Sequence, residues 1–194
     1  MVAQNLLDRP MTAEDLALLP DDDTRHEILG GELIVAASPT ERHQWASIRL
    51  SRRILEHLDT TGVGMVYAAP FDVRLGRYHL LVPDLSIVLR QNASRITRKR
   101  IMGPPDVVVE IISESTKTID RVRKSAIYAD AGVPEYWIVD PDASTILVQT
   151  LVDGQYVPVA SEDGSAHSHQ VPGLVVHPTD IFSTPDWFAP AEDE

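Results

Sequence analysis

The feature that most constrains the fold is a pair of strongly apolar segments separated by a helix-like segment. Residues 106–112 and 135–139 are typical of buried strands, because β-branched and aromatic side chains dominate both. Residues 119–131 between them have helical spacing, and Gly132 and Pro134 follow where a helix would end. Two strands connected by a helix usually lie parallel in one sheet. This unit therefore predicts an α/β domain.

The rest of the chain predicts short elements around this unit. Helices are expected at residues 13–19 and 43–58, and Gly30-Gly31 favours a hairpin turn between strands on either side of it. The apolar residues expected on the second helix are Trp45, Ile48, Leu50, Ile54, Leu55 and Leu58. Further strands are predicted at residues 64–68, 71–75, 80–89, 145–151 and 155–160. Their short connecting turns favour antiparallel pairing. We expect a mixed β-sheet flanked by helices, with an extra N-terminal hairpin and extra C-terminal strands.

The length and composition favour one domain with a substantial core. A chain of 194 residues with 43% hydrophobic residues is ordinary for a single globular domain, here with a core at about residues 12–182 and an acidic tail at 186–194. Because there are no cysteines, disulfides, thiolate zinc sites and cysteine nucleophiles are excluded. No apolar run approaches the ~18 residues of a membrane span, and the N-terminus lacks the pattern of a signal peptide. We therefore expect a cytoplasmic protein that does not associate with membranes.

The charge of the chain is unevenly distributed. The net charge is −12, which by itself argues against a nucleic-acid partner. Residues 90–124 nevertheless carry a net charge of +5, and the remainder carries −17. Phosphate groups respond to the local potential, so this basic stretch is compatible with nucleic acid. A solvated surface of a loop and a helix explains it equally well.

Two predicted strands each contain one carboxylate among apolar residues. Asp84 follows Pro83 in the segment Leu80-Leu-Val-Pro-Asp-Leu-Ser-Ile-Val-Leu89, and Glu110 lies in Val107-Val-Val-Glu-Ile-Ile112. A buried charge costs several kcal/mol unless it is paired or bound to a metal ion. Strands this apolar are expected at the centre of the sheet, with both acids near the same edge. A divalent cation between the two acids would offset their mutual repulsion, although an arginine partner for one acid is a simpler alternative.

The predicted helix after the Glu110 strand presents a lysine at a repeating position. Asp120, Lys124 and Tyr128 are spaced by four residues and therefore share one face. An exposed Asp–Lys pair of small energetic value is one interpretation. If the helix folds back over the end of the strand, Lys124 could instead orient a water molecule or stabilise charge on a phosphate.

Several motifs together resemble the Uma2 (DUF820) proteins, bacterial members of the PD-(D/E)XK nuclease superfamily. The resemblance covers about residues 12–182, and its most specific part is Gly132-Val-Pro-Glu-Tyr-Trp137 with Asp140. The other matching positions are Gly31-Glu-Leu33, His43, Pro83-Asp84-Leu85, Val109-Glu-Ile-Ile-Ser113, Ser115-Thr116, Asp120, Lys124 and Tyr128.

The resemblance implies a restriction-endonuclease-like fold that hydrolyses phosphodiester bonds of DNA. It implies Mg²⁺ or Mn²⁺ held by Asp84, Glu110 and the carbonyl of Ile111, with Glu32 as an accessory acid that contacts the metal or water. It also suggests a homodimer. The sequence departs from the superfamily signature, because Ile112 stands where the signature has lysine. Lys124, one helix later, resembles a migrated replacement.

Other functions remain open at this point. The missing lysine in the strand and the acidic net charge motivate a catalytically inactive module that retains the fold for binding. A glycosidase with paired carboxylates is less favoured, because the 11 aromatic residues provide few sugar platforms. His167 and His169 are expected in a solvated loop, and His43 is expected to form a cap or a hydrogen bond near the site.

Overall fold

The computed structural model describes residues 9–16, 18, 25–35, 38–112, 119–161 and 163–188, with only the backbone for residues 119–121. Four α-helices within these residues are α1 (Ala13–Leu16), α2 (Glu41–Thr61), α3 (Ser125–Asp130) and α4 (Pro178–Phe182). The strands before the helical crossover predicted at residues 119–131 are β1 (His26–Leu29), β2 (Glu32–Val35), β3 (Gly64–Ala68), β4 (Asp72–Arg74), β5 (His79–Leu81), β6 (Leu85–Leu89), β7 (Arg100–Met102) and β8 (Val107–Ile111). Those after it are β9 (Glu135–Asp140), β10 (Thr145–Val152), β11 (Gln155–Pro158), β12 (Ala166–His167) and β13 (Val175–Val176).

The two strands joined by the predicted helical crossover, β8 and β9, lie at the centre of the largest sheet. This six-stranded sheet has the order β11-β10-β9-β8-β6-β3. Strands β8 and β9 are parallel, from Val107 opposite Glu135 to Ile111 opposite Val139, and the other pairs in this sheet are antiparallel. A π-helical segment (Ile119–Lys124) leads directly into α3 within the crossover. The mixed α/β fold expected from the sequence is confirmed.

The prediction of one continuous strand at residues 80–89 is wrong. Strand β5 belongs to a second, five-stranded sheet with the order β2-β1-β5-β4-β7, whereas β6 belongs to the six-stranded sheet. The segment from Val82 to Asp84 connects the two sheets, and Pro83 within it has no backbone N–H to donate to a strand neighbour. The chain therefore changes sheets immediately before Asp84.

The short elements of the fold escaped the sequence analysis. Strands β7, β12 and β13, helix α4 and a 3₁₀ segment (Arg90–Arg95) span only two to six residues each. Segments of this length are too short for a periodic pattern of apolar residues to emerge. Tertiary contacts decide their conformation instead.

Helix α2 packs along one face of the six-stranded sheet. Thr40 Oγ1 accepts a hydrogen bond from the N–H of His43 at its start, and Gly62 ends it in the left-handed region at φ 65°. Its buried residues are Ala46, Leu50, Ile54 and Leu58. Ile48 and Leu55, which were predicted on an apolar face, are instead 65% and 48% exposed. Only one side of the helix can face the core, and the side that contains the small residue Ala46 lets the helix lie close to the sheet.

The central sheet is covered on both faces. One face packs against α2, and alternate residues of β6, β8 and β9, such as Leu85, Val109 and Trp137, lie in that core. The opposite face packs against α3 and the second sheet, where Val108 and Tyr136 meet Leu81. Residues of the central strands are therefore almost completely buried.

Among the helices of the described residues, none is long and apolar enough to cross a membrane.

Glu135, at the start of β9, attaches the C-terminal part of the chain to the central sheet. Its carboxylate is fully buried and accepts hydrogen bonds from Trp137 Nε1 and Ser168 Oγ and from the backbone N–H groups of His169 and Gln170. These distances lie between 2.6 and 3.0 Å. A buried charged acceptor with four donors is costly to remove, because each donor loses its partner.

We expect Glu135→Ala to lower the free energy of unfolding by about 3 kcal/mol, because four donors, including the buried Trp137 indole, lose their acceptor. Urea denaturation followed by circular dichroism measures the change. Glu56→Ala is the matched control, since the exposed and solvent-screened Arg52–Glu56 pair contributes little to stability. Equal stability of the two variants would contradict the role of Glu135.

Candidate active site

Asp84 and Glu110 lie at one end of two adjacent central strands. The β6–β8 register pairs Leu85 with Val109, so the next position sets Asp84 opposite Glu110. The N–H of Ile111 donates to Asp84 Oδ2 at 2.7 Å. Because Ile111 N is bonded to the carbonyl carbon of Glu110, the Asp84 carboxylate lies within about 5 Å of the Glu110 Cα. Both acids are buried, with 3% and 2% of their surface exposed. The structure thus brings together the two acids singled out in the sequence.

Asp84 is held as a carboxylate by three groups from different elements. His43, in the first turn of α2, lies with Nε2 3.2 Å from Asp84 Oδ2, and Arg25 Nη1 lies 3.6 Å from Oδ1. Burial alone would raise the pKa of Asp84, but the hydrogen bond and charge of His43, the Ile111 N–H and the charge of Arg25 together lower it. The hydrogen bond expected for His43 near the site is therefore present.

Glu110 binds the lysine and the tyrosine of the crossover helix. Lys124 Nζ lies 3.0 and 3.1 Å from the two carboxylate oxygens of Glu110, and Tyr128 Oη donates to Oε1 at 2.6 Å. Burial and the neighbouring carboxylates of Glu110 and Glu27 raise the pKa of Tyr128, so its hydroxyl keeps its proton and acts as a donor. The side chain of Asp120, which was predicted on the same helix face, lies outside the described residues.

The sequence analysis missed Glu27 of strand β1. Its side chain is almost fully buried, and Oε1 accepts the N–H of Val82 at 2.6 Å and lies 3.2 Å from Lys124 Nζ. Lys124 therefore lies between two glutamates from two different sheets. A carboxylate directly before the apolar residues Ile28 and Leu29 of a short strand was the available signal, and it is the same signal that marked Asp84 and Glu110.

Glu32 lies on the surface of the β1–β2 hairpin and pairs with Arg123. Its side chain is 62% exposed, and Oε2 lies 2.6 Å from Nη2 of Arg123. In the same hairpin, Glu27 rather than Glu32 contacts Lys124. The role of Glu32 toward metal or water, and that of the Ile111 carbonyl, stay predictions.

Only part of the basic stretch lies near these acids. Lys124 is buried beside Glu27 and Glu110, whereas Arg90 is exposed immediately beyond the opposite end of β6. Five residues of extended strand separate the two ends by about 17 Å. Arg90 is thus distant from Asp84, whereas Arg100 pairs with Asp72 of strand β4.

Two buried nitrogen atoms at the site have no hydrogen-bond partner among the described residues. They are Nε of Arg25 and Nδ1 of His43, and both belong to side chains that contact Asp84. Buried polar atoms are usually paired with protein, water or ligand. Unsatisfied polar atoms on both sides of Asp84 are consistent with a polar ligand at this position.

The site meets the main requirement for a hard divalent cation in the chemistry of its donors. Carboxylate oxygens of Asp84 and Glu110 are ligands that Mg²⁺ prefers, and Mg²⁺ usually binds one or two carboxylates while it retains several waters. No group of three or more metal-ligating side chains occurs within the described part of the chain. The protein therefore offers two carboxylates, and solvent or phosphate would supply the remaining oxygen ligands.

A family model named Uma2, with the description "Putative restriction endonuclease", matches residues 13–178. The chain belongs to the Uma2 family. This match includes all of Glu27, Asp84, Glu110 and Lys124. The residues quoted above for the resemblance at positions 113–117 lie outside the described structure.

A solved structure agrees with the fold of this Uma2 protein. It is described as a "putative nuclease belonging to DUF820 from Anabaena variabilis", and it superposes with a TM-score of 0.74 at 19% sequence identity. The alignment covers 89% of the Uma2 chain and 98% of the other chain. At this identity the comparison establishes the fold. A search of curated proteins found no match.

Proposed function

We propose that this Uma2 protein is a metal-dependent nuclease that hydrolyses phosphodiester bonds of DNA. The main support is the convergence of Asp84, Glu110 and Lys124, which are all buried at one end of two central strands. Burial of two carboxylates and an ammonium is expensive, and sites of catalysis are where such clusters are concentrated. The family description as a restriction endonuclease supports the same reaction class.

In this proposal Asp84 and Glu110 hold a divalent cation. A bound Mg²⁺ or Mn²⁺ supplies a Lewis acid that polarises the phosphate and lowers the pKa of an attacking water. Lys124 provides a fixed positive charge for the negative charge that develops on the phosphate oxygens. His43 and Arg25 orient the Asp84 carboxylate, and Tyr128 donates a hydrogen bond that orients Glu110.

A nicking assay on supercoiled plasmid tests the proposal. We expect conversion to nicked and linear DNA with Mg²⁺ or Mn²⁺ and no conversion with excess chelator. Without a cation, the two carboxylates would repel the negatively charged phosphate. Cleavage that persists unchanged in chelator would refute metal dependence. No cleavage of plasmid, linear duplex or single strands with either metal would refute the nuclease.

One observation favours a second candidate, a nuclease fold used only for binding. Both acids already have internal partners, Ile111 N–H and His43 for Asp84 and Lys124 and Tyr128 for Glu110. A site satisfied in this way can be stable without metal. Calorimetric titration separates the two functions, since a binding module would take up neither Mg²⁺ nor Mn²⁺ at millimolar concentration.

The assembly and location expected from the sequence also stay predictions. Cleavage of both strands of a duplex needs two sites, which a homodimer would provide. Sedimentation equilibrium of the purified protein measures the mass directly.

A further inference from the structure

We propose that Glu27 is a positioning residue that holds the Lys124 ammonium at the site independently of Glu110. This inference rests on the proposed nuclease function, because it assigns a task to Lys124 in that reaction. The juxtaposition that carries it is a buried ammonium between two buried glutamates from different sheets.

The geometry makes Glu27 a fixed anchor for Lys124. Oε1 of Glu27 lies 3.2 Å from Lys124 Nζ and accepts the N–H of Val82 at 2.6 Å. Strand β1, which carries Glu27, pairs with both β2 and β5, so its backbone is held on two sides. Val82 follows β5 directly and precedes the crossing to β6. Glu27 thereby connects the lysine to the segment that also positions Asp84.

A second anchor matters because Glu110 has two tasks in the proposed reaction. In the structure both carboxylate oxygens of Glu110 contact Lys124. Once Glu110 shares its oxygens with a cation, its hold on Lys124 weakens and the two positive charges repel. Glu27 keeps a full negative charge beside the ammonium in that state. Lys124 can then stay within reach of the phosphate.

The charge balance of the site agrees with this division of tasks. Three carboxylates, those of Glu27, Asp84 and Glu110, face the permanent positive charges of Lys124 and Arg25. Among these described side chains, and before His43 is considered, one negative charge is in excess. A divalent cation would change this excess to one positive charge and would repel the Lys124 ammonium. The carboxylate of Glu27 beside Lys124 would reduce that repulsion.

The variant Glu27→Gln isolates the charge of this residue. Its amide oxygen can still accept the Val82 N–H, so the backbone contact is retained and only the ion pair with Lys124 is removed. We expect metal-free labelling of Lys124 by an amine-reactive reagent to be about tenfold faster than in the parent protein, measured by peptide mass spectrometry. Exposed Lys99 in the same sample serves as the reference for the reagent. In single-turnover cleavage, the rate constant should fall about tenfold or more while DNA affinity is unchanged.

Glu135→Gln is the matched control for a general loss of stability. It changes an equally buried glutamate whose described contacts are with Trp137 and residues 168–170. Lys124 should be labelled at the parent rate in this variant. Equal labelling of Lys124 in Glu27→Gln and in the parent would overturn the proposal. If the parent cleaves DNA, faster labelling of Lys124 in Glu27→Gln without a lower cleavage rate constant would also overturn it. If the parent protein does not cleave DNA, the nuclease proposal fails, and the labelling comparison still decides whether Glu27 holds Lys124.

Discussion

Asp84→Asn is expected to abolish DNA cleavage while the protein remains folded. The amide oxygen of asparagine can still accept the Ile111 N–H, which donates to Asp84 at 2.7 Å in the parent protein. The substitution removes the negative charge that the site needs to bind a divalent cation. Loss of a directly binding carboxylate should lower the rate by about 1000-fold or more. Plasmid nicking with Mg²⁺, together with calorimetric titration of the metal, measures both consequences.

Asp153→Asn is the matched control for this variant. Asp153 lies in the exposed β10–β11 turn at φ 49°, a conformation that asparagine adopts readily. Cleavage by this variant should equal that of the parent, and both variants should have parent-like circular dichroism. If Asp84→Asn cleaves DNA as fast as Asp153→Asn, Asp84 is not part of the catalytic site.

Lys124→Met is expected to have the largest effect on stability. Without the ammonium, the carboxylates of Glu27 and Glu110 remain buried within about 6 Å of one another, and their repulsion is no longer offset. Breaking a buried ion pair from one side typically costs 3–5 kcal/mol, and here two acids lose a cation. We expect the free energy of unfolding to fall by about 4 kcal/mol at pH 7, measured by urea denaturation.

A double variant distinguishes this electrostatic cause from the lost volume of the lysine side chain. Adding Glu27→Gln to Lys124→Met removes one of the two facing charges, so about 1–2 kcal/mol should be recovered. Lys99→Met, at an exposed position, should change the stability by at most about 0.5 kcal/mol. No recovery in the double variant would mean that packing rather than charge accounts for the loss.

Much of the fold follows from patterns that are local in the sequence. The parallel pair β8–β9 was predicted because each strand is a long apolar run and a helical segment with its own stop signal separates them. The hairpin at Gly30-Gly31 was predicted because glycine permits the positive φ of a two-residue turn, and the two φ angles are 64° and 83°. The division of residues 80–89 between two sheets was missed, because proline within an apolar run is compatible with a continuous edge strand as well as with a crossing.

The candidate site was predicted in part for a similar reason. Asp84 and Glu110 are conspicuous because a lone carboxylate in an apolar strand is costly. Glu27 carries the same signal in a strand of only four residues, too short for the apolar context to be evident. Glu32, which the resemblance implies as an accessory acid, pairs with Arg123 at the surface. The side chain that faces Lys124 depends on how the hairpin docks, and docking is not encoded locally.

The sequence by itself determined the α/β class, the crossover and two buried acids, since apolar periodicity and turn residues act over a few neighbouring positions. Only the tertiary structure decided which groups surround those acids. Lys124 contacts glutamates that are 14 and 97 positions away along the chain, and Asp84 meets His43 from a helix 41 positions earlier. Such contacts are set by the packing of whole elements around the core, where the cost of burying an unpaired charge selects the arrangement that pairs it.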